Sequence, residues 1–250
     1  MSVKNQKILA LRAALAAVEP HGVRVELGVP RLDAVLAGGL MRGALHEVFA
    51  APSHEAAATG FVAGLTVRLG GPLLWIRQDY AGLECGALAA TGLFEFGLDP
   101  ARLLLLQVTD AAGALKAASD ALTCAVLGAV VIEVMGSPKL LDLVTYRRLA
   151  LAAGESGVTA ILLRQATAPS GIGGVETRWL VRAAASQDEE NWGQPVFDAD
   201  LQRNRHGPAG HWVMKWSCDD GVFRPADRGA VVSAPCDRPF ASPVAEASAA

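Results

Sequence analysis

The segment APSHEAAA, Ala51 to Ala58, lies where a strand runs into a helix, the usual position of a phosphate-binding loop. Such a loop reads G-x-x-x-x-G-K-S/T, because its amides surround the phosphates, its lysine reaches the terminal phosphates and its hydroxyl holds magnesium. Here Ala51 replaces the first glycine, and Ala56, Ala57 and Ala58 replace Gly, Lys and Ser/Thr. The chain contains no Gly-Lys dipeptide, so a shifted register does not restore the motif. We expect no nucleotide hydrolysis through this loop and no cofactor.

The same alanines are well suited to starting a helix. Alanine is the strongest helix former, and Glu55 is favourable in a first helical turn, although its charge would repel a phosphate. We therefore interpret the segment as a degenerate phosphate loop that has been kept for structure.

Three polar residues lie at the carboxyl ends of apolar runs, where open α/β sheets place their ligands. They are Asp79 in LLWIRQDYA, Glu133 in AVVIEV and Gln165 in TAILLRQ. Asp79 and Glu133 could serve catalysis, or they could cap loops or meet nearby arginines. Gln165 could sense a ligand or satisfy backbone groups where its strand ends. The histidines form no metal-binding pattern, and we assign no catalytic residue.

Six apolar runs separated by helical segments predict βα units in a mainly parallel sheet flanked by helices. The predicted strands are LHEVF, PLLWI, RLLLLQV, AVVIEV, TAILLRQ and RWLVRAA. The clearest helix signal is Ser137 as N-cap with Pro138 in the first turn, and we expect that helix to end at Gly154.

The two ends of the chain differ from this core in their residue pattern. From Val196 onward, apolar residues partly alternate around the turn clusters RHGPAG and CDDG, which predicts an antiparallel meander at one edge of the sheet. The four predicted parts are an amphipathic helix over 1–24, the α/β core over 25–186, the meander over 187–225 and a disordered tail over 226–250.

Composition sets further limits. The 250 residues are 52% hydrophobic with a formal net charge of -3, which suits one large core and argues against a strongly electrostatic nucleic-acid binder. The four cysteines form no close pair and suggest reduced thiols. The longest apolar run, ALTCAVLGAVVI, is shorter than the roughly 20 residues that span a bilayer. We expect a cytoplasmic protein without membrane contact.

The order of these segments resembles a RecA-type core. LGVPRLDAVLAGGLMRGALHEVFA is similar to the entry helix, glycine turn and first strand of that fold. The resemblance places Asp79 where RecA-like ATPases carry a water-activating glutamate and Glu133 where they carry a magnesium-linked aspartate. It places Gln165 at a nucleotide-sensing glutamine and ATAPSGIGGVET at a DNA-binding loop. It covers roughly residues 25–184.

With its lysine-less loop and its C-terminal hairpin, the chain is identified as resembling the ImuA family. That resemblance implies an accessory role in damage-induced translesion synthesis, through contacts with ImuB and RecA and indirectly with an error-prone C-family polymerase. We expect any DNA contact to be weak or indirect, because the loop from Ala166 to Thr177 has no cation before Arg178.

Two regions are candidates for partner binding. The first is the N-terminal helix, whose apolar stripe includes Leu11 and Leu15 and could instead pack on its own core. The second is the C-terminal hairpin, where RNRHGPAG resembles the K-x-R-N-G-P hairpin of hexameric helicases. The candidate residues there are Arg203, Arg205, Trp212 and Trp216. Alternatively, the arginines are solvated cations beside a turn and the aromatics only anchor the meander.

Three functional hypotheses follow. The first is a non-catalytic RecA-like accessory protein. The second is an unorthodox nucleotide hydrolase that uses Asp79 and Glu133. The third is an inhibitor of cell division similar to SulA, which is also a RecA-fold relative without a phosphate loop.

Overall fold

A nine-stranded sheet forms the centre of the computed structural model, which describes residues 22–169, 171, 173–186 and 194–226. A separate two-stranded ribbon precedes it. In chain order the strands are β1 (Arg24–Val25), β2 (Leu40–Met41), β3 (Leu45–Ala50), β4 (Leu73–Gln78), β5 (Leu103–Val108), β6 (Ala129–Met135), β7 (Thr159–Gln165), β8 (Thr177–Ala184), β9 (Val196–Asn204), β10 (Gly210–Ser217) and β11 (Val222–Pro225).

The order of strands across the large sheet is β11-β10-β9-β8-β3-β7-β6-β4-β5. The six strands from β8 to β5 are parallel, and β9, β10 and β11 add to β8 as an antiparallel meander. All six predicted parallel strands and the edge meander are confirmed. The fold is therefore an α/β, RecA-like sheet.

Helices cover both faces of the sheet. The helices are α1 (Pro30–Val35), α2 (Glu55–Leu69), α3 (Ala81–Glu84), α4 (Ala90–Glu95), α5 (Ala111–Ala121) and α6 (Leu143–Ser156), and a 3₁₀ turn spans Pro100–Arg102. One core lies between the sheet and α2, and it includes Val48, Phe61 and Val131. The other lies between the sheet and helices α5 and α6, and it includes Ile132 and Tyr146. Alternate residues of the central strands β3, β4, β6 and β7 enter opposite cores, as the pleat requires.

The segment before β3 is fixed by Asp33 and by a glycine turn. The Asp33 carboxylate accepts hydrogen bonds from the amides of Leu27 and Gly28 at 2.8 and 3.0 Å. Gly39 has a φ of +117°, and a Cβ atom there would lie 2.2 Å from the carbonyl oxygen of Val25. Only glycine fits such an approach, which explains the glycine turn of the sequence.

The predicted limits of helix α6 are wrong. Ser137 does not cap it, because the Ser137 hydroxyl pairs with Thr167 Oγ1 at 2.5 Å and Pro138 lies in a preceding turn. The N-cap is Asp142, whose carboxylate accepts from the amide of Thr145 at 2.8 Å. The helix also continues past Gly154 and ends at Gly157, which adopts the left-handed conformation with φ +76°.

Aromatic side chains attach the meander to helix α2. Trp216 is fully buried, stacks on Phe96 at 5.4 Å and meets Phe223 edge-on at 4.7 Å. Its indole N–H donates to the Phe96 carbonyl at 2.9 Å. Trp216, a candidate for partner binding, is thus enclosed by its own chain. This burial favours the alternative interpretation, an anchor for the meander.

Several predictions fall outside the described residues. They concern the N-terminal helix with Leu11 and Leu15 and the tail beyond Ala226. Cys85, Cys124 and Cys218 are free thiols. Among the described helices, none is both long and apolar enough to cross a bilayer.

Candidate functional site

The loop after β3 is short and is tied to β8. The Ala51 amide donates to the Val181 carbonyl at 3.1 Å, and the His54 amide donates back to the Ala51 carbonyl at 2.9 Å. On the other side, the Ala183 amide donates to His54 Nδ1 at 3.1 Å. The polar groups of Ala51 and His54 are thus used to hold the loop together and to attach it to β8.

The three alanines of the lost motif lie in the first turn of α2. Ala58 is fully buried in the core beneath the helix, Ala57 is half-buried and Ala56 is exposed. None carries a group that could neutralise a phosphate or hold a metal ion. The position of the loop is preserved while its chemistry is absent.

Glu133 does not face solvent or a ligand. Its carboxylate is fully buried and lies 3.1 Å from the Nε atom of Arg77, which is the cross-strand neighbour of Glu133 on β4. The second carboxylate oxygen accepts the indole N–H of Trp75 at 2.9 Å. The Arg77 guanidinium also donates to the Ala81 carbonyl at 3.1 Å, which anchors the start of α3. Both oxygens of Glu133 are thus engaged within the protein.

Burial raises the pKa of Glu133 above its ordinary value, against the lowering effects of Arg77, Trp75 and Gln165. The carboxylate therefore depends on these neighbours for its charged form, because an unpaired buried charge is costly. The sequence left two roles open for Glu133, catalysis or a structural contact with a nearby arginine. The structure favours the contact with an arginine. A magnesium ion at this carboxylate would have to displace Arg77.

The other two polar residues differ in environment. Gln165 is buried beside Glu133, and its amide donates to Thr59 Oγ1 on α2 at 3.2 Å. Its Oε1 atom has no hydrogen-bond partner among the described residues. Asp79 follows β4 and is exposed. Gln165 and Glu133 are thus brought together inside the protein, while Asp79 is in solvent.

A second buried charge cluster lies on the opposite face of the sheet, and the sequence interpretation missed it. Glu47 on β3 accepts from Arg178 Nε at 2.6 Å, lies 3.5 Å from Arg164 Nη1 and also accepts from the Tyr146 hydroxyl. Arg164 also stacks over the ring of Phe49 at 5.4 Å. Burial and the adjacent Glu47 raise the pKa of Tyr146, so this phenol stays protonated. The cluster links α6 to three strands.

One signal in the sequence could have found both clusters. Charged residues interrupt otherwise apolar strands at Glu47, Arg77, Glu133, Arg164 and Arg178. Such residues are rarely buried unless they are paired, so charges of both signs inside buried strands predict internal ion pairs. The strand order decides which of these charges pair. The shortest ion pair of each cluster, Arg178–Glu47 and Arg77–Glu133, joins neighbouring positions on adjacent strands.

His46 is another buried polar group of the core. Its Nε2 atom donates to the Met41 carbonyl at 2.8 Å, and its Nδ1 atom lies 2.7 Å from Thr177 Oγ1. The Thr177 hydroxyl in turn accepts the indole N–H of Trp179 at 2.9 Å. Burial lowers the pKa of His46 to about 4, so the imidazole is neutral at physiological pH. Among the described residues, no group of three His, Cys, Asp or Glu side chains could hold a metal ion.

The β9–β10 hairpin lies at the other end of the sheet. Asn204 pairs with Thr177, the first residue of β8, whereas the loop after β3 contacts Ala183 near the end of β8. At about 3.3 Å per residue, these positions are roughly 20 Å apart. Arg203 and Arg205 therefore cannot act on the degenerate loop of their own chain.

The hairpin tip is held in place by its neighbours. Arg203 Nε donates to the Val175 carbonyl at 3.3 Å, and the side-chain Nδ2 atom of Asn204 donates to the Val35 carbonyl at 2.9 Å. His206 lies 3.3 Å from a carboxylate oxygen of Glu176. Arg203 and Arg205 are exposed on this fixed tip, and Trp212 is half-buried beside it. The tip presents cations and part of an aromatic surface in a defined conformation.

The sheet and the loop together define the class: a RecA-like protein whose phosphate-loop position lacks the residues that bind nucleotides. Among curated proteins, the chain is 29% identical over 211 residues to Protein ImuA of Caulobacter vibrioides strain NA1000 / CB15N, and the alignment covers 76% of this chain and 82% of that protein. Protein ImuA of Caulobacter vibrioides strain ATCC 19089 / CIP 103742 / CB 15 matches equally well. No family model matches the chain. The chain is thus similar to curated ImuA proteins over about three quarters of its length.

Proposed function

We propose that this protein is a non-catalytic, RecA-like accessory factor of damage-induced translesion DNA synthesis, which binds ImuB and RecA. The role in damage-induced mutagenesis is what the similarity to ImuA proteins implies. The residues at the strand ends are the reason to expect no catalysis.

The ion pair between Arg77 and Glu133 carries this proposal. A magnesium nucleotide needs a cation for its phosphates and a free acidic group for its metal. At this place in the fold, the cation is a strand arginine already bound to the acidic group at 3.1 Å. The first turn of α2 contributes only alanines at the three motif positions. These residues do not fit a magnesium nucleotide.

The tip of the β9–β10 hairpin is our candidate for the contact with a partner. Its two exposed arginines lie roughly 20 Å from the loop of their own chain, so any phosphate-binding loop that they contact would belong to another molecule. Arginine and partly exposed tryptophan are enriched where binding energy concentrates. Arg203, Arg205 and Trp212 therefore form the part of the meander that we expect to contact RecA or ImuB.

The test is capture from cells after DNA damage, with the intact tagged protein as bait. We expect the wild type to retain ImuB and RecA, and the double variant R203A/R205A to retain at least tenfold less of one of them. The matched control is R147A/R148A, which removes two exposed arginines from α6. Equal capture by all three proteins would contradict the hairpin assignment.

The same experiment separates the other hypotheses. Capture of FtsZ instead of ImuB and RecA would favour an inhibitor of cell division. Turnover of ATP by the purified protein, lost on changing Asp79 or Glu133, would favour a hydrolase. Either result would contradict the proposed function.

A further inference from the structure

The outer parallel strand β5 has an uncharged and strongly apolar exposed surface. Leu104, Leu105 and Leu106 are 58%, 47% and 38% exposed. They lie on the end strand of the sheet, which pairs only with β4 among the described strands. One side of the β5 backbone is therefore open to another strand.

This edge has none of the features that usually prevent strand addition. Edge strands are commonly protected by lysine, proline, inward charges or a bulge. The sequence of β5 is LLLLQV, and its register with β4 is regular from Leu103 to Val108. An unprotected apolar edge of six residues favours pairing with a further strand.

We propose that β5 pairs with β5 of a second copy of this chain, antiparallel, with Leu105 on the two-fold axis. Two identical edges related by an axis perpendicular to the sheet keep each face continuous, so opposing residues must share a face. With Leu105 on the axis, Leu105 meets its own copy, and Leu104 meets Leu106 of the other copy. All three exposed leucines are then covered by leucines, and two nine-stranded sheets become one.

The faces of β5 agree with this register. Leu105 is aligned with Trp75 and lies on the face covered by α2. Leu104 and Leu106 are aligned with Leu74 and Ile76 and lie on the face covered by α5. Aliphatic pairs opposite each other on one face are a main source of sheet stability.

The charges that flank β5 lie outside the six residues that would pair, and each makes a hydrogen bond within its own chain. Arg102 donates twice to the Gly71 carbonyl, at 2.8 and 2.7 Å. Asp99 accepts from the Ala101 amide, and Asp110 accepts from the Gly113 amide. In this register only Leu105 lies opposite its own copy, and the six residues of β5 carry no charge, so like charges do not meet within the paired segment.

The size of the contact sets its strength. A single pair of six-residue strands covers less than the roughly 800 Å² per partner of a standard interface. We therefore expect a dimer with a micromolar dissociation constant that exchanges readily, rather than a permanent one.

The first measurement is sedimentation equilibrium of the full-length protein over a range of concentrations. We expect the wild type to dimerise, and L105K and L105E each to weaken dimerisation at least tenfold, because each places like charges on the axis. The matched control is L151K, which changes a 65% exposed leucine on α6 and should dimerise like the wild type. Circular dichroism establishes that each variant is folded.

Mixing L105K with L105E gives the decisive result. If residue 105 faces its own copy, the mixture should form heterodimers at least as tightly as the wild type, although each variant alone dimerises at least tenfold more weakly. A monomeric wild type, unchanged dimerisation of both variants, or a mixture that stays monomeric would each overturn the proposal. Those results would leave the edge to a strand of a different protein, or place the dimer contact elsewhere.

Discussion

Replacing Arg77 with methionine tests whether Arg77 and Glu133 form one structural unit. The change keeps most of the aliphatic volume and removes the cation from a fully buried carboxylate. Breaking a buried ion pair from one side costs about 3–5 kcal/mol. The carboxyl can avoid its charge by taking up a proton, and this limits the cost. From an ordinary pKa of 4.5, protonation at about pH 7.5 costs about 4 kcal/mol.

The pH dependence gives this prediction its sign. Removing Arg77 removes a group that lowers the pKa of Glu133, so this folded-state pKa rises further above the unfolded value. The folded variant then holds a proton that the unfolded chain releases, and its stability falls as pH rises between the two pKa values. We expect the R77M deficit to be about 3–4 kcal/mol near pH 7.5 and to shrink to about 1 kcal/mol near pH 5.

Urea unfolding at both pH values, on wild type and variant, measures the deficit. The control is R77M/E133Q, which has no buried charge at this position and should show a smaller deficit of about 1–2 kcal/mol that does not grow as pH rises. Taking differences from the wild type cancels the titration of other groups. A pH-independent R77M deficit, or strictly additive effects of R77M and E133Q, would refute the reasoning.

Three further predictions concern the core, and thermal or urea unfolding checks them all. G64A should destabilise by about 1–2 kcal/mol despite the better helix propensity of alanine, because its Cβ would lie 2.7 Å from Phe223. The control G92A has open space around it and should be neutral or stabilising. Equal effects of the two changes would contradict this packing. W216A should cost about 3–5 kcal/mol, and an unchanged melting temperature would show that Trp216 is no anchor. His46 has a folded pKa of about 4, so its protonation should lower wild-type stability by about 3 kcal/mol from pH 6.5 to 4. H46Q should lack this part of the decrease. An identical pH profile of stability in wild type and H46Q would exclude His46 as the source.

The strand pattern was predictable because apolar runs and turn clusters are local features. Each of the six parallel strands is a mainly apolar run, and the meander is marked by two turn clusters. The limits of α6 were harder to predict, because two residues carried misleading local signals. Ser137 resembles an N-cap, but its hydroxyl contacts Thr167 from a distant part of the chain. Gly154 resembles a helix end, but the helix continues because the left-handed turn forms at Gly157.

The candidate site was only partly predictable. The missing phosphate-loop chemistry is a property of sequence alone, and so is the choice of Glu133 and Gln165 as residues at strand ends. The partner of Glu133 was not evident, because Arg77 lies 56 residues away and meets it only through the pairing of β4 with β6. The burial of Trp216 likewise depends on how the meander packs on α2, which its alternating pattern does not specify.

Isothermal titration of the full-length protein with Mg-ATP tests the central claim most directly. In the proposed function, the Arg77–Glu133 pair and the alanines of the first loop leave no place for a magnesium nucleotide. This claim predicts no binding heat at protein and nucleotide concentrations where an active RecA protein, measured alongside, gives a clear isotherm. Micromolar binding of Mg-ATP, weakened by changing Asp79 or Glu133, would contradict it.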